Sequence, residues 1–313
     1  MRLGGWVEGA DTDMKTALGL LITSLFFTIQ GSTNTSINNT IVIAYGSSSF
    51  AYMAPKIERE LQSNKILYVS DAIGGQIIET ISAHQGSNPI RILFKDTYIK
   101  GNGKPNAVLI EQKYSIGSLN AKGVFPVRLS NGMSGVLDLD KKNFTTTDLF
   151  KNRYISKKYL NVDFGFKKYR NNIHVFNIGK NNITMGDYTS EQVFSGIVHM
   201  INYIENIGNY KYIVCGYYID RGMSTEKKLI ILEINRKLRN KYGRRYFDFQ
   251  DYLMSSQIWK DINIKPTLVD IQYQNKYELA PSLSRDAKHL SPKVDAVLAT
   301  ILKKKLIKLN YIH

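Results

Sequence analysis

Four short stretches of the chain hold residue types that can do chemistry together. They are Gly46-Ser47-Ser48, Gly74-Gly75, Gly179-Lys180-Asn181-Asn182 and Asp286-Ala287-Lys288-His289. A serine hydroxyl is a weak nucleophile until a base takes its proton. His289 can be that base, and Asp286, three residues earlier, can hold the imidazole by its other nitrogen and stabilise the imidazolium as it forms. Attack on an acyl carbon builds an oxyanion, which needs donors fixed in advance. The backbone N–H groups of Ser48 and Gly75 and the side-chain amide of Asn181 supply them. A glycine at position 75 lets the backbone approach a reacting group with no side chain in the way. Together these residues fit acyl transfer, with Ser47, Ser48 and Ser49 adjacent at the nucleophile position.

These stretches must be brought together by the elements around them. Thr40–Tyr45 reads as a buried strand ending at Gly46, Met53–Gln62 as a helix, Lys65–Val69 as a second strand, and Gln76–Ser82 as a helical turn. Strand, glycine turn, helix, strand is the rhythm of a parallel α/β sheet. It resumes at Ile173–Ile178 and at Tyr212–Tyr217. Between these strands a helix opens on Thr189-Ser190-Glu191-Gln192, a capping-box pattern. Ser224–Tyr242 reads as a helix with Leu229, Leu232 and Leu238 on its inner face, and Tyr246–Phe249 as a short strand. Ser291-Pro292 opens a last helix in the favoured cap-then-proline order, running to about Lys305. In open α/β sheets, sites form where strands end, and the first three stretches lie at strand ends.

Residues 89–160 break the rhythm. Ile90–Phe94, Ala107–Gln112, Gly123–Leu129 and Gly135–Leu139 read as short strands between Gly/Asn turns. The expected organisation is a leader over residues 1–32, an α/β domain made of residues 33–88 and 161–313, and an inserted β module between them. The module's aromatics Phe94, Tyr98, Tyr114, Phe125 and Phe144 either stack on sugars or fill its own small core.

The four stretches, in this order, resemble the motif blocks of the SGNH hydrolases, also called GDSL-like esterases. The family's Gly-Asp-Ser block aligns with Gly46-Ser47-Ser48, which assigns the nucleophile to Ser48. The oxyanion glycine falls on Gly75, and the Gly-x-Asn-Asp block on Gly179–Asn182, which puts the oxyanion amide on Asn181. The Asp-x-x-His block, often followed by Leu-Ser-Pro, matches Asp286–Pro292. The resemblance covers about residues 40–84 and 170–305. It implies a flavodoxin-like three-layer α/β/α sandwich, with Ser48, Asp286 and His289 catalytic and no cofactor. Ser47 and Asn182 stand where the family has aspartates. The insertion at about 89–160 resembles β modules found between the second and third blocks of some SGNH proteins of bacterial surfaces and phage tails.

The chain has 313 residues and a formal net charge of +16. An anionic partner (nucleic acid, membrane surface or acidic polysaccharide) is one outlet for such charge. The lysines are scattered, however, and no nucleic-acid motif accompanies them, so solvated faces are the favoured reading. Cys215 lies in an apolar run and reads as a small buried hydrophobe. His84, His174, His199 and His313 read as structural or surface groups, and no metal site is expected. Asp220-Arg221, on the same sheet edge after the Tyr212–Tyr217 strand, either touches substrate or forms a loop salt bridge, the favoured reading. Met14-Lys15 followed by the apolar stretch Ala17–Ile29 and a polar run describes a signal peptide, hence a secreted or periplasmic protein with no lasting membrane span. The expected activity is removal of O-acyl groups, acetyl foremost, from a cell-wall or capsular glycan. A lipase or thioesterase, and a glycan-binding protein without turnover, are the alternatives.

Overall fold

The computed structural model of the chain describes residues 40–112 and 123–313. The expected leader and Tyr114 lie outside the described residues. Strand β1 (Ile41–Gly46) is followed by helix α1 (Ser48–Gln62), strand β2 (Leu67–Ala72) and helix α2 (Ile78–Gln85). Eight strands follow: β3 (Ile90–Phe94), β4 (Tyr98–Lys100), β5 (Pro105–Gln112), β6 (Val124–Leu129), β7 (Ser134–Asp138), β8 (Asn143–Thr146), β9 (Asn152–Tyr154) and β10 (Leu160–Asp163). The α/β order then returns with β11 (Ile173–Asn177), α3 (Lys180–Met185), α4 (Ser190–Glu205), β12 (Tyr212–Cys215), α5 (Thr225–Tyr242) and β13 (Tyr246–Phe247). Three short helices follow, α6 (Phe249–Met254), α7 (Gln257–Asp261) and α8 (Leu268–Asn275), before the long α9 (Pro292–Lys308).

The central sheet is parallel throughout, in the order β13-β12-β11-β1-β2. This is the doubly wound, flavodoxin-like strand order. Successive residues of a strand face opposite sides, and β1 uses both. Val42 and Ala44 pack with Phe50, Met53, Ile57 and Leu61 of α1 and with Leu298, Leu302 and Leu306 of α9. Ile43 and Tyr45 pack with Ile78 and Ile81 of α2, Val193, Ile197 and Ile201 of α4, and Ile231, Ile234 and Leu238 of α5. Three layers follow directly from that alternation. A strand covered on both faces has no polar side to show, which is why the sequence IVIAY is continuously apolar.

The inserted strands close into a six-stranded barrel, β10-β3-β5-β8-β7-β6, with β4 and β9 paired apart from it as a two-stranded ribbon. Its last strand runs to Asp163, three residues past the boundary read from sequence. Phe94 and Phe144 fill its core, edge to face at 5.7 Å. Phe125 turns its edge to the ring of His84 on α2. Tyr98 stays in solvent.

Three details depart from the sequence reading. Helix α1 begins at Ser48, not Met53, and carries Pro55 in its interior. On α5 the buried positions are Ile231, Ile234 and Leu238, while Leu229 and Leu232 face solvent. A 3.6-residue period allows either stripe when Ile and Leu alternate along the helix, and contact with the sheet decides it. Strand β13 stops at Phe247, because Asp248 turns to cap α6 by accepting from Asp251 N–H at 2.9 Å. The capping box at Thr189 and Gln192 is present. Among the described residues, no helix is long and apolar enough to cross a membrane.

Candidate active site

β1 ends at Gly46, and the chain turns directly into α1, so Ser48 occupies the first helical position. The first N–H groups of a helix have no partner within it, and the helix dipole adds positive potential there. Ser47, at the cap position, makes no side-chain capping bond to these donors. The Ser48 N–H is therefore set at a helix start, where negative charge is favoured.

The other side of the site comes from the segment before α9. Ser284 and Leu290 form an antiparallel bridge, and Arg285 N–H donates to the His289 carbonyl at 3.0 Å, closing a tight loop. Inside it, Asp286 Oδ1 accepts from the backbone N–H groups of Lys288 (2.7 Å) and His289 (2.8 Å). Asp286 Oδ2 lies 2.8 Å from His289 Nδ1. Burial pulls the Asp286 carboxyl upward, but these hydrogen bonds outweigh it and hold the group down at about 2. An ionised Asp286 only accepts, so His289 Nδ1 carries the proton and Nε2 is left as an acceptor. That nitrogen lies 2.9 Å from Ser48 Oγ, which donates to it.

The neighbouring serines have different surroundings. Ser49 Oγ lies 3.0 Å from the Tyr218 hydroxyl, which donates to the Lys288 carbonyl at 2.9 Å. Ser49 thereby helps fasten the Asp–His loop to the sheet edge. Ser47 is buried beside the cleft. Of the three, Ser48 is the one that meets the imidazole.

Ser48, Gly75, Asn181 and His289 line one cleft of about 250 Å³, bordered by Lys180, Asp220, Thr184, Met185 and Lys288. Gly75 has φ +78°, a left-handed conformation that favours glycine. Gly179 (φ +104°) starts α3, and a Cβ there would sit 2.7 Å from the Tyr217 hydroxyl and 2.8 Å from Val193 Cγ1. Only glycine lets α3 approach closely enough to deliver Asn181. The Asn181 amide donates one N–H to the Gln76 carbonyl at 2.8 Å, which fixes its plane and leaves a second N–H.

Asn182 does something the sequence reading did not anticipate. Its Oδ1 accepts from Ile78 N–H at 3.0 Å, and its Nδ2 donates to Glu79 Oε2 at 3.0 Å. It ties the start of α2 to α3, and so the Gly75 turn to the Asn181 amide. The Tyr188 hydroxyl also donates to Glu79 at 3.0 Å; burial and the neighbouring carboxylate push that phenol up to about 12.

The salt bridge expected within Asp220-Arg221 forms with a different partner. Asp220 pairs with Lys180 Nζ, and both side chains are buried. Burial lowers the Lys180 pKa against the pull of Asp220. Its ammonium also lies 3.7 Å from the centroid of the Tyr218 ring. Arg221 instead donates to Ser284 Oγ at 3.2 Å, and its N–H to the Ala287 carbonyl at 2.9 Å, a second tie to the Asp–His loop. Tyr52 was also missed. It stands edge-on to the His289 ring at 5.1 Å, with the Arg285 guanidinium over its own ring at 4.1 Å. Four residues separate it from Ser48, the spacing that shares a helix face. Once the helix is known to begin at Ser48, that spacing identifies it.

The remaining histidines lie elsewhere. His84 Nδ1 bonds Asp71 Oδ1 at 2.7 Å, fully buried among Phe125 and Phe164. Burial raises the Asp71 carboxyl despite this partner. Of these two Asp–His pairs among the described residues, the one at 286 and 289 borders the cleft. His174 lies with its ring near-parallel to those of Tyr45 and Phe176, each centroid 5.8 Å away, and burial lowers it to about 4. His199 Nε2 faces the Ser87 carbonyl at 3.2 Å. The Cys215 thiol is buried and shifted far upward. No cluster suited to a metal ion occurs among the described residues.

The sandwich, the strand-end positions and the serine–imidazole–carboxylate line are those that the resemblance to SGNH hydrolases implies. No family model matches the chain, and no curated protein matches it. Solved structures similar to it include the psychrotrophic esterase EstA from Pseudoalteromonas sp., at 11% identity, covering 87% of this chain and 99% of that one, TM-score 0.42. A peptidoglycan O-acetylesterase is similar at 11% identity over 87% and 91% of the two chains, TM-score 0.41. An acetyl esterase is similar at 10% identity over 86% and 97%, TM-score 0.39.

Proposed function

We propose that the chain is a serine esterase that hydrolyses O-acyl esters, acetyl foremost, on a carbohydrate outside the cytoplasm. The observation that carries this reading is the line from Asp286 through His289 to Ser48 Oγ, bordering a cleft that Gly75 and Asn181 also line.

The reaction runs in two steps. Ser48 Oγ attacks the ester carbonyl as His289 Nε2 takes its proton, and Asp286 stabilises the imidazolium. The oxyanion is held by the N–H groups of Ser48 and Gly75 and by the free amide N–H of Asn181. Collapse expels the sugar oxygen, which His289 protonates. Water, deprotonated by the same imidazole, then attacks the acyl-serine and releases the carboxylic acid.

A second acyl preference has its own support. A groove of about 420 Å³, lined by Ile73, Ile77, Thr80 and Met185, adjoins the cleft and shares Gly75 and Met185 with it. Its apolar residues suit a longer acyl chain, the lipase or thioesterase reading. Rates on para-nitrophenyl esters from acetyl to decanoyl, beside acetate release from acetylated glycans, separate the two. Highest kcat/KM on acetyl with release from a glycan supports the proposal. A rising rate with chain length and no release from any glycan would replace it.

A further inference from the structure

The inserted module carries a surface that the acyl-transfer chemistry does not use. Strands β4 and β9 pair antiparallel in the register Tyr98↔Tyr154, Ile99↔Arg153, Lys100↔Asn152. Directly opposed residues share a face, and so do residues two apart along a strand. Tyr98, Tyr154, Lys100 and Asn152 therefore occupy one face of the ribbon, and all four are exposed. Ile99, on the other face, is buried. The two tyrosine rings are each 63% exposed and meet edge to face at 5.7 Å. Leaving two large rings in water forgoes the burial that aromatic side chains ordinarily supply.

The charge along the ribbon is one-sided. Lys95, Lys100, Lys104, Lys151, Arg153, Lys157 and Lys158 lie in or beside the two strands, against the two acids Asp96 and Asp148, and all seven cations are exposed; Lys100 is on the tyrosine face and Arg153 on the Ile99 face. None of them has a carboxylate at ion-pair distance among the described residues, whereas Arg91 and Lys141 of the same barrel do. The general explanation of scattered lysines on solvated faces does not cover a cluster of this sign around paired bare aromatics.

We infer that the Tyr98/Tyr154 ribbon is a binding site for an anionic polysaccharide. Exposed tyrosine rings offer flat apolar faces to sugar rings, the Asn152 amide offers both a donor and an acceptor to hydroxyls, and the cations match acidic groups along the polymer. The site would hold the polymer on which the cleft acts, so it gives the proposed esterase a class of substrate: an acylated acidic glycan. That last step rests on the esterase reading; the binding itself does not.

Binding of the full chain to immobilised polygalacturonate tests this without using turnover. Dextran serves as the neutral polymer and a thymidine oligonucleotide as a polyanion without sugar acids. Wild type should bind polygalacturonate and not dextran, and 1 M salt, with a screening length near ~3 Å, should abolish binding. The double variant Tyr98→Ala/Tyr154→Ala should bind about tenfold more weakly, and Lys100→Glu, which reverses the charge on the tyrosine face, should lose binding, both keeping wild-type melting curves and wild-type rates on a small ester. If the tyrosine variant fails to fold, the charge variant carries the test alone. Binding unchanged in the folded variants, equal binding of dextran, or an oligonucleotide that binds more tightly and displaces the polygalacturonate would each overturn the assignment. Loss of esterase activity on every ester with this binding intact would overturn the esterase reading only.

Discussion

Ser48 Oγ and His289 Nε2 lie 2.9 Å apart although 241 residues separate them in sequence. One sits on the first turn of a helix at the carboxyl end of the sheet's first strand, the other in a loop clasped by Tyr218 and Arg221 from the end of β12. Their meeting depends on α1 and α9 lying side by side on one face of the sheet.

The oxyanion site gives the first prediction. Asn181→Ala removes one donor and leaves the Ser48–His289–Asp286 line intact. Turnover on a para-nitrophenyl ester should fall on the order of 10²-fold with little change in KM. Steady-state kinetics check this, and an unchanged kcat would remove Asn181 from the reaction.

The Asp286 carboxyl, held at about 2, stays ionised throughout the ordinary pH range. Asp286 should therefore add no proton to the acid limb of the kcat/KM profile. A kcat/KM profile with one proton on its acid limb fits; two protons above pH 4 would not. Asp286→Ala removes the imidazole's orienting partner and should lower kcat on the order of 10⁴-fold.

Much of this was legible in sequence because the site is built from strand ends and short polar motifs. The continuous apolar runs at β1 and β12 mark a sheet covered on both sides, and Asp286, His289 and Ser48 stand in the blocks that the resemblance assigns. The start of α1 was not legible, since three consecutive serines follow Gly46 and serine favours turns and caps over helix interiors. Tertiary packing of Phe50 and Met53 against the sheet overrides that local preference. The roles of Lys180 and Asn182 were also hidden. Their partners, Asp220 and Glu79, lie 40 and 103 residues away, and no spacing rule links them. In the module, β4, β8, β9 and β10 are three or four residues long, too short for an alternation to show.

The buried Lys180–Asp220 pair sets up a test of stability. Asp220→Ala leaves an ammonium in a buried site without its counter-ion and should cost about 3–5 kcal/mol of unfolding free energy. Lys180→Met/Asp220→Leu removes both charges and should cost much less. Urea unfolding of the two variants checks the ordering.

Asp295 on α9 gives a prediction in pH. Burial raises its carboxyl from 3.8 to about 6, against the pull of Arg285 at 2.6 Å. Between these values the folded chain holds a proton that the unfolded chain has released, so this group's effect is to lower stability as pH rises from about 4 to about 6. The size should be on the order of 3 kcal/mol. Unfolding followed across that range should show the slope in wild type and a flatter line in Asp295→Asn.

The assignment of the nucleophile is tested most directly by covalent capture. After treatment with a fluorophosphonate, peptide mapping by mass spectrometry should find one adduct, on Ser48, together with loss of ester hydrolysis. Ser48→Ala should take up no label, show no hydrolysis and melt as wild type does. An adduct on Ser47 or Ser49, or hydrolysis retained in folded Ser48→Ala, would contradict the account.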